Sequence, residues 1–420
     1  MAVDLLIINA ANIATCSGDE GAGIIENGYV AVKDGRIFDF GQGAAPAGLT
    51  DGHTLVIDAS NKTVTPGLID AHTHLVHGGS REKELPMKLK GVPYLEILKM
   101  GGGILSTVRN TRKATKEELK QKAMKSLNTM LLYGTTTVEA KSGYGLDFDN
   151  EIKCLEAARE LNEEHPVDVV STYMGAHAVP EEYKGNTEGY IKFMDEKVMP
   201  YVSENKLAEF MDVFCEDGVF SPEESRRIMK DGLKHGFKLK IHADEIVPLQ
   251  GAELAAELGA ISAEHLLAAS DEGIEAMAKA GVTAVVLPGT SFYLMLGKYA
   301  QARKMMDKGV RVAIATDYNP GTSPTESLQT VMAYACFGMK LTPEEILKAM
   351  TLNAAYAVGR EKEIGSIEKG KKADLVIFDA PNVDYIVYHY GINHVDRVIK
   401  GGRVVVENGT LKSNATGCCC

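Results

Sequence analysis

His72 and His74, in the stretch Val64-Thr-Pro-Gly-Leu-Ile-Asp-Ala-His-Thr-His-Leu75, are the residues of this chain best placed to do chemistry. The run is short, apolar and opened by Pro66-Gly67, which reads as a buried strand. On a strand, residues two apart face the same side, so both imidazoles converge at the strand's end. A divalent metal could sit there. Such a pair also occurs on ordinary polar strand faces, so the remaining ligands must come from elsewhere in the chain.

The ends of the other strand candidates supply them. One runs into Glu139-Ala-Lys141-Ser-Gly-Tyr144, another into Gly175-Ala-His177, and further ones into His242-Ala-Asp-Glu245 and Glu264-His265. The last leads into Asp317-Tyr-Asn319-Pro-Gly321-Thr322. His72, His74, His242 and Asp317 together make an N₃O set that suits zinc or divalent iron. Taken singly, His242 could be a satisfied core histidine and Asp317 a helix cap. Metal-activated water still leaves a nitrogen that needs a proton, and Glu245 stands where a carboxylate could shuttle it. Its bland alternative is an exposed loop glutamate. His265 could polarise a carbonyl or orient the water, or simply pack.

The elements that must position these residues alternate strand and helix, the pattern of a parallel sheet. Strands are expected at 67–75, 135–140, 167–174, 209–214, 239–242, 261–265, 283–287 and 311–316. Helices are expected at 116–132, 150–161, 222–234, 251–258, 271–280 and 343–350. Eight such units match an α/β fold of the (β/α)₈ TIM-type, whose chemistry sits at the C-terminal strand ends. No G-x-G-x-x-G follows the first strand, which disfavours a Rossmann fold. Gly101-Gly-Gly103 lies far from any strand end and reads as a mobile loop. Both ends of the chain read as short strands with turns at Lys33-Asp-Gly-Arg36 and Lys400-Gly-Gly-Arg403. A small β-sandwich domain is therefore expected from 1–65 with 360–415, around a barrel at 66–359, with a disordered tail at 416–420.

The 420 residues are 45% apolar and 24% charged, with a net charge of −12. That balance is ordinary for a globular enzyme and argues against nucleic acid or an anionic membrane as partner. No apolar run is long enough to span a bilayer, and the N-terminus lacks a basic signal-peptide start. Cys16, Cys154, Cys215, Cys336 and the terminal Cys418 to Cys420 lack zinc-finger spacing and fit a reducing cytoplasm.

The H-x-H strand, the later histidines and the final aspartate resemble the amidohydrolase superfamily across essentially the whole chain. Longer motifs resemble its imidazolonepropionase family. They are His72-Thr-His-Leu-Val-His-Gly-Gly-Ser-Arg-Glu-Lys-Glu84, Gly101-Gly-Gly-Ile-Leu-Ser-Thr-Val108, Lys141-Ser-Gly-Tyr-Gly145, Met174-Gly-Ala-His-Ala178, Lys240-Ile-His-Ala-Asp-Glu245 and Thr316-Asp-Tyr-Asn-Pro-Gly-Thr-Ser323. The resemblance implies hydrolysis of 4-imidazolone-5-propanoate to N-formimidoyl-L-glutamate in histidine degradation. It implies one metal, Zn(2+) or Fe(2+/3+), on His72, His74, His242 and Asp317, and a homodimer. Substrate would meet Arg81, Tyr144 and His177, with Glu245, Asn319, Gly321 and Thr322 nearby. Glu245, His265 and Asp317 would carry the catalysis. A guanidinium suits a propionate tail because it donates two parallel hydrogen bonds to a carboxylate. Without the resemblance, Arg81 would read as a solvated surface residue. Many superfamily members bridge two metals through a carboxylated lysine; here 209–214 ends without one. A deaminase of nucleobase-like rings shares the metal set but has no need of Arg81, and ammonia release would reveal it. A non-catalytic scaffold of the same fold would typically have lost metal ligands, and here none is missing.

Overall fold

Near each terminus, two strands rich in β-branched residues meet at a tight turn whose two central residues need positive φ. Asp34 and Gly35 have φ of 50° and 71°, and Gly401 and Gly402 have 53° and 78°. Such turns match the twist of the strands they join. The computed structural model describes residues 2–18, 21–92, 96–97 and 100–412. The expected tail at 416–420, with Cys418 to Cys420, lies outside the described residues.

The N-terminal strands are β1 (Leu5–Ala14), β2 (Ile24–Lys33), β3 (Arg36–Gln42), β4 (Leu55–Asp58) and β5 (Thr63–Pro66). The barrel strands are β6 (Leu68–Thr73), β7 (Thr135–Lys141), β8 (Asp168–Ala176), β9 (Phe210–Cys215), β10 (Lys238–Ala243), β11 (Ser262–His265), β12 (Thr283–Val286) and β13 (Val312–Ile314). The C-terminal strands are β14 (Leu375–Phe378), β15 (Val395–Lys400), β16 (Arg403–Glu407) and β17 (Thr410–Leu411).

Strands from both termini form one mixed sheet in the order β17-β16-β15-β14-β5-β1-β2-β3, with β4 beside β1. The seam between the two halves is the antiparallel pair of β14 with β5. Sequence reading did not isolate β5, because it is only four residues long and ends in Pro66. One face of this sheet buries Leu5, Ile7, Val30, Val32, Leu375, Ile377 and Ile399 in a core of its own.

The eight strands β6 to β13 pair in sequence order as a parallel sheet curled into a TIM-type barrel. Apolar residues on their outer faces pack against the surrounding helices. Ile69 and Ala71 on β6, for example, join Val285, Ala313 and Ala315 against Ala354 and Ala355. Closure is made at the rim. The Asp317 amide donates to the His72 carbonyl at 3.0 Å, and the His74 amide to the Tyr318 carbonyl at 2.9 Å. The backbone bonds that shut the barrel therefore also set Asp317 beside the two histidines.

Helices at Lys116–Leu132, Pro222–Lys234, Gly251–Leu258 and Asp271–Ala280 occupy the spans expected from sequence. Thr115 and Ser221 begin the first two with reciprocal side-chain caps. The helix Ile104–Lys113 was not expected, because it starts after Gly103 with no side-chain cap. Nor do Gly101 to Gly103 behave as the mobile loop expected. The Gly103 amide donates to Glu84 Oε1 at 2.8 Å, and a Cβ on Gly102 would meet Ile97 Cγ2 at 2.7 Å. A buried carboxylate holds that turn. Among the described residues, no helix is long and apolar enough to cross a membrane.

Gly67 carries the chain from the terminal sheet into the barrel, and a Cβ there would lie 2.2 Å from Thr136 Oγ1. Gly67→Ala should therefore lower the unfolding free energy by about 1–3 kcal/mol, the usual cost of overpacking. Urea denaturation of the two proteins side by side would measure it, and an unchanged midpoint would refute the crowding.

Candidate metal centre

Alternation along the barrel strands sends every second side chain inward. On β6 this brings Asp70 and His72 to the interior, and His74 follows at the strand's end. Lys240 and His242 do the same on β10, and Ser262 and Glu264 on β11. His72, His74 and His242 offer ring nitrogens that all lie within 4.8 Å of one another, and His72, His265 and Asp317 form a second such group. All five residues are buried. Four of the residues that end these strands adopt left-handed backbone: Asp244 at φ 50°, His265 at 70°, Leu266 at 61° and Asp317 at 55°. That conformation is unfavourable for side chains with a Cβ and collects at functional rims.

Tautomers follow from the partners of the Nδ1 atoms. His72 Nδ1 lies 2.7 Å from Glu264 Oε2, and His242 Nδ1 lies 3.0 Å from Asp212 Oδ1. A carboxylate can only accept, so each Nδ1 carries a hydrogen, and in the neutral ring Nε2 presents a lone pair. Burial acts against a charge on His242, but the Asp212 carboxylate outweighs it and holds that ring's pKa above the usual histidine value. Both Nε2 atoms are buried without a hydrogen-bond partner. Asp317 Oδ1 lies 3.5 Å from His72 Nε2 and 3.6 Å from His74 Nε2. Burial drives the pKa of His72 and of His74 well below the usual histidine value, so both rings are neutral. With the rings neutral and bare at Nε2, these lone pairs and the carboxylate oxygen would repel unless a cation sat between. The donor set therefore fits a divalent ion, and the carboxylate-to-imidazole arrangement is the usual outer support of such ligands.

Around this centre, Thr290 Oγ1 donates to Asp317 Oδ2 at 2.6 Å and fixes the carboxylate. Burial pushes the Asp317 pKa up to about 6. Glu245 lies with its Oε1 3.7 Å from His265 Nδ1, and burial followed by the Asp317 charge raises its pKa to about 8. A pKa there suits proton transfer near neutral pH. His177 stacks on His74 at 4.8 Å between centroids, its Nδ1 held 3.0 Å from the Gly143 carbonyl. Tyr144 leans on both rings, at 5.5 Å from His74 and 5.3 Å from His177.

The predicted substrate residues of the last rim loop divide into two kinds. Asn319 is used up locally: its Oδ1 accepts from the Gly321 and Thr322 amides, and its Nδ2 donates to Thr322 Oγ1 and the Asp317 carbonyl. It shapes the loop. Arg81 packs against Gly321, where a Cβ would lie 2.0 Å from its Nη1. Its Nε and Nη2 both donate to Glu84, at 2.9 Å each, so one edge of the fork already holds a carboxylate. That leaves Nη1 as the part of the guanidinium turned toward Gly321.

Sequence reasoning gave no role to Asp212, Glu264, Lys141, Lys240 or Glu84. Lys141 Nζ lies 2.8 Å from both Glu139 Oε1 and Asp212 Oδ2, and Lys240 Nζ 3.2 Å from Glu264 Oε1, all at essentially zero exposure. The signal was present as charged residues inside apolar strands, such as Asp212 in Phe-Met-Asp-Val-Phe.

The model of the amidohydrolase family matches residues 63–405. The chain belongs to the amidohydrolase family. This amidohydrolase is 64% identical to the imidazolonepropionase of Treponema denticola over 384 residues, covering 91% of this chain and 93% of that protein. It is 56% identical to the imidazolonepropionase of Alkaliphilus oremlandii over 421 residues, covering 98% and 100%. Among solved structures it resembles a zinc-bound adenosine deaminase from Xanthomonas campestris, with TM-score 0.70, 19% identity and coverage of 98% and 95%. It also resembles a zinc-complexed atrazine chlorohydrolase from Arthrobacter aurescens, with TM-score 0.68, 18% identity and coverage of 97% and 96%. At those identities the two structures speak for the fold.

His242→Ala should leave a folded chain that no longer retains one ion after dialysis against zinc or iron(II) followed by elemental analysis. One ion per chain in that variant would remove His242 from the ligand set.

Proposed function

We infer that this chain hydrolyses 4-imidazolone-5-propanoate to N-formimidoyl-L-glutamate. The observation that carries this reading is the pair of buried, unpartnered Nε2 atoms on His72 and His242, the first 3.5 Å from Asp317, in a chain 64% identical to an imidazolonepropionase. His72, His74, His242 and Asp317 would hold one ion, zinc or iron, since an N₃O set suits both. When bound, it supplies Lewis acidity, lowering the pKa of water and polarising a carbonyl.

The chain's own residues do the rest. Arg81 holds the propionate, its guanidinium braced by Glu84 and seated against Gly321. Tyr144 and His177 form an aromatic wall beside His74 for the flat ring. Asp317, steadied by Thr290, takes the proton from the attacking water. The water oxygen bonds to the ring carbonyl carbon, and His265 stabilises the oxyanion that forms. Glu245 delivers a proton to the ring nitrogen as the C–N bond breaks. The carbonyl carbon becomes the new carboxylate, and the nitrogen stays on the formimidoyl group. Asn319 and Thr322 keep the Asp317 loop in shape.

We assign the enzyme to the cytoplasm, in keeping with the reaction. A homodimer is supported by an exposed aromatic face formed by Phe292, Phe337 and Tyr390, which are 53%, 62% and 63% exposed. The helix Leu328–Met339, which carries Phe337 and stacks Tyr334 on Phe292, contains no charged residue. Solitary proteins rarely expose apolar patches of this kind.

The direct test is an imidazolonepropionate hydrolysis assay combined with metal analysis on the same sample. Hydrolysis that rises with ion content is expected; ammonia release from nucleobases with no ring opening of imidazolonepropionate would point to a deaminase instead. Arg81→Ala should raise KM by roughly 10- to 150-fold, from loss of a charged hydrogen bond worth about 1.5–3 kcal/mol. Unchanged kcat and KM would show that the propionate binds elsewhere. Phe337→Glu should shift the sedimentation coefficient from dimer to monomer, and a variant that still sediments as the wild type does would free this face of any role in assembly.

A further inference from the structure

The catalytic scheme leaves Lys141 and Lys240 unused, although both are fully buried. Placing an ammonium group in a water-free interior is costly unless it is paired. Each lysine is paired with the carboxylate that sets one histidine ligand. Asp212 gives Oδ1 to His242 Nδ1 at 3.0 Å and Oδ2 to Lys141 Nζ at 2.8 Å. Glu264 gives Oε2 to His72 Nδ1 at 2.7 Å and Oε1 to Lys240 Nζ at 3.2 Å. Two chains of the same design, ammonium to carboxylate to imidazole, thus end on two Nε2 atoms of the metal centre.

The two chains differ in their surroundings. Lys141 also holds Glu139 Oε1 at 2.8 Å, so it answers to two carboxylates. Among the described residues Lys240 makes its ion pair with Glu264, with its charge also felt at Glu139. Ser262 Oγ receives its hydrogen bond at 2.9 Å while donating to Glu264 Oε1 at 2.5 Å. Register explains the placement. Lys240 and His242 are two apart on β10, and β10 pairs with β11 so that Lys240 is opposite Ser262 and His242 opposite Glu264. One lysine therefore reaches diagonally to the carboxylate that orients a ligand on a third strand.

We propose that Lys240 and Lys141 are positioning residues of the metal centre: each anchors, through a buried ion pair, the carboxylate that holds one histidine ligand for the ion. The proposal rests on reading His72, His74, His242 and Asp317 as the ion's ligands. Neither lysine touches substrate or the reacting atoms. Their effect is expected in ion affinity rather than in the turnover of fully loaded enzyme.

Lys240 gives the cleaner test because its ion-paired carboxylate, Glu264, can be neutralised with it. Zinc affinity of the full-length enzyme would be measured by competition with a chromophoric chelator for wild type, Lys240→Met, Glu264→Gln and the double variant, with thermal unfolding of each as a control. Loss of an outer support costs about 10- to 100-fold in affinity, and each single variant should show a loss of that size. Lys240→Met leaves a carboxylate without its cation, and Glu264→Gln leaves a cation near the ion without its carboxylate. The double variant leaves neither, and the glutamine oxygen can still accept from His72 Nδ1. It should bind zinc more tightly than either single variant. Losses that add in the double variant, or melting temperatures that fall while zinc affinity stays at the wild-type value, would overturn the proposal. If Lys240→Met does not fold, Glu264→Gln against the double variant decides, with tighter binding by the double expected and equal or weaker binding overturning it. Wild-type enzyme that binds neither zinc nor iron(II) would instead refute the ligand assignment itself.

Discussion

A carboxylate inside the barrel holds the Nδ1 hydrogen of His72, another holds that of His242, and the rest of the site depends on these two bonds. They fix ring orientation and tautomer together, which turns two lone pairs toward the same small volume. Burying Glu139, Asp212 and Glu264 without compensation would cost more than the fold could bear. The interior therefore carries Lys141 and Lys240 as well, leaving this group one negative charge in excess beneath a site that fits a cation.

Barrel closure brings in the oxygen donor proposed for the ion. Because β13 meets β6 through the Asp317 amide and the His72 carbonyl, the oxygen donor arrives beside the imidazoles as a consequence of closing the sheet. The strained backbone at Asp317 is held in place by the same contacts. The residues proposed to recognise substrate stand separately, on the loops beyond the rim. Glu84 ties Arg81 to the Gly103 turn, and Lys88 ties the same region to the Gly321 carbonyl at 2.9 Å. Two parts of the chain distant in sequence are thereby locked around the position of the guanidinium.

Much of this was legible in the sequence, for physical reasons that can be named. The barrel strands are short apolar runs between amphipathic helices, and several helices open with Thr or Ser caps. Their limits could be read closely, as at Pro222–Lys234. The cluster of His72, His74, His242 and Asp317 could be read because residues at strand ends need no tertiary information once the barrel is inferred. What escaped depends on register and on loop packing. Nothing local to Asp212 says that its neighbour across the sheet is His242, or that Lys141 will share it. The strand β5 was too short to declare itself, yet it joins the two halves of the terminal sheet. Gly101 to Gly103 looked mobile because glycine signals freedom, while the carboxylate that binds the turn lies 19 residues away at Glu84.

The central claim is that buried charges aim His72, His74, His242 and Asp317 at one cation. Anomalous X-ray diffraction at the zinc and iron edges, on crystals of the wild-type enzyme, tests it most directly. A single peak is predicted, with the three imidazole Nε2 atoms and an Asp317 oxygen at about 2.0–2.2 Å from it. A peak displaced from those four atoms, or crystals grown with either metal that show none there, would contradict the account.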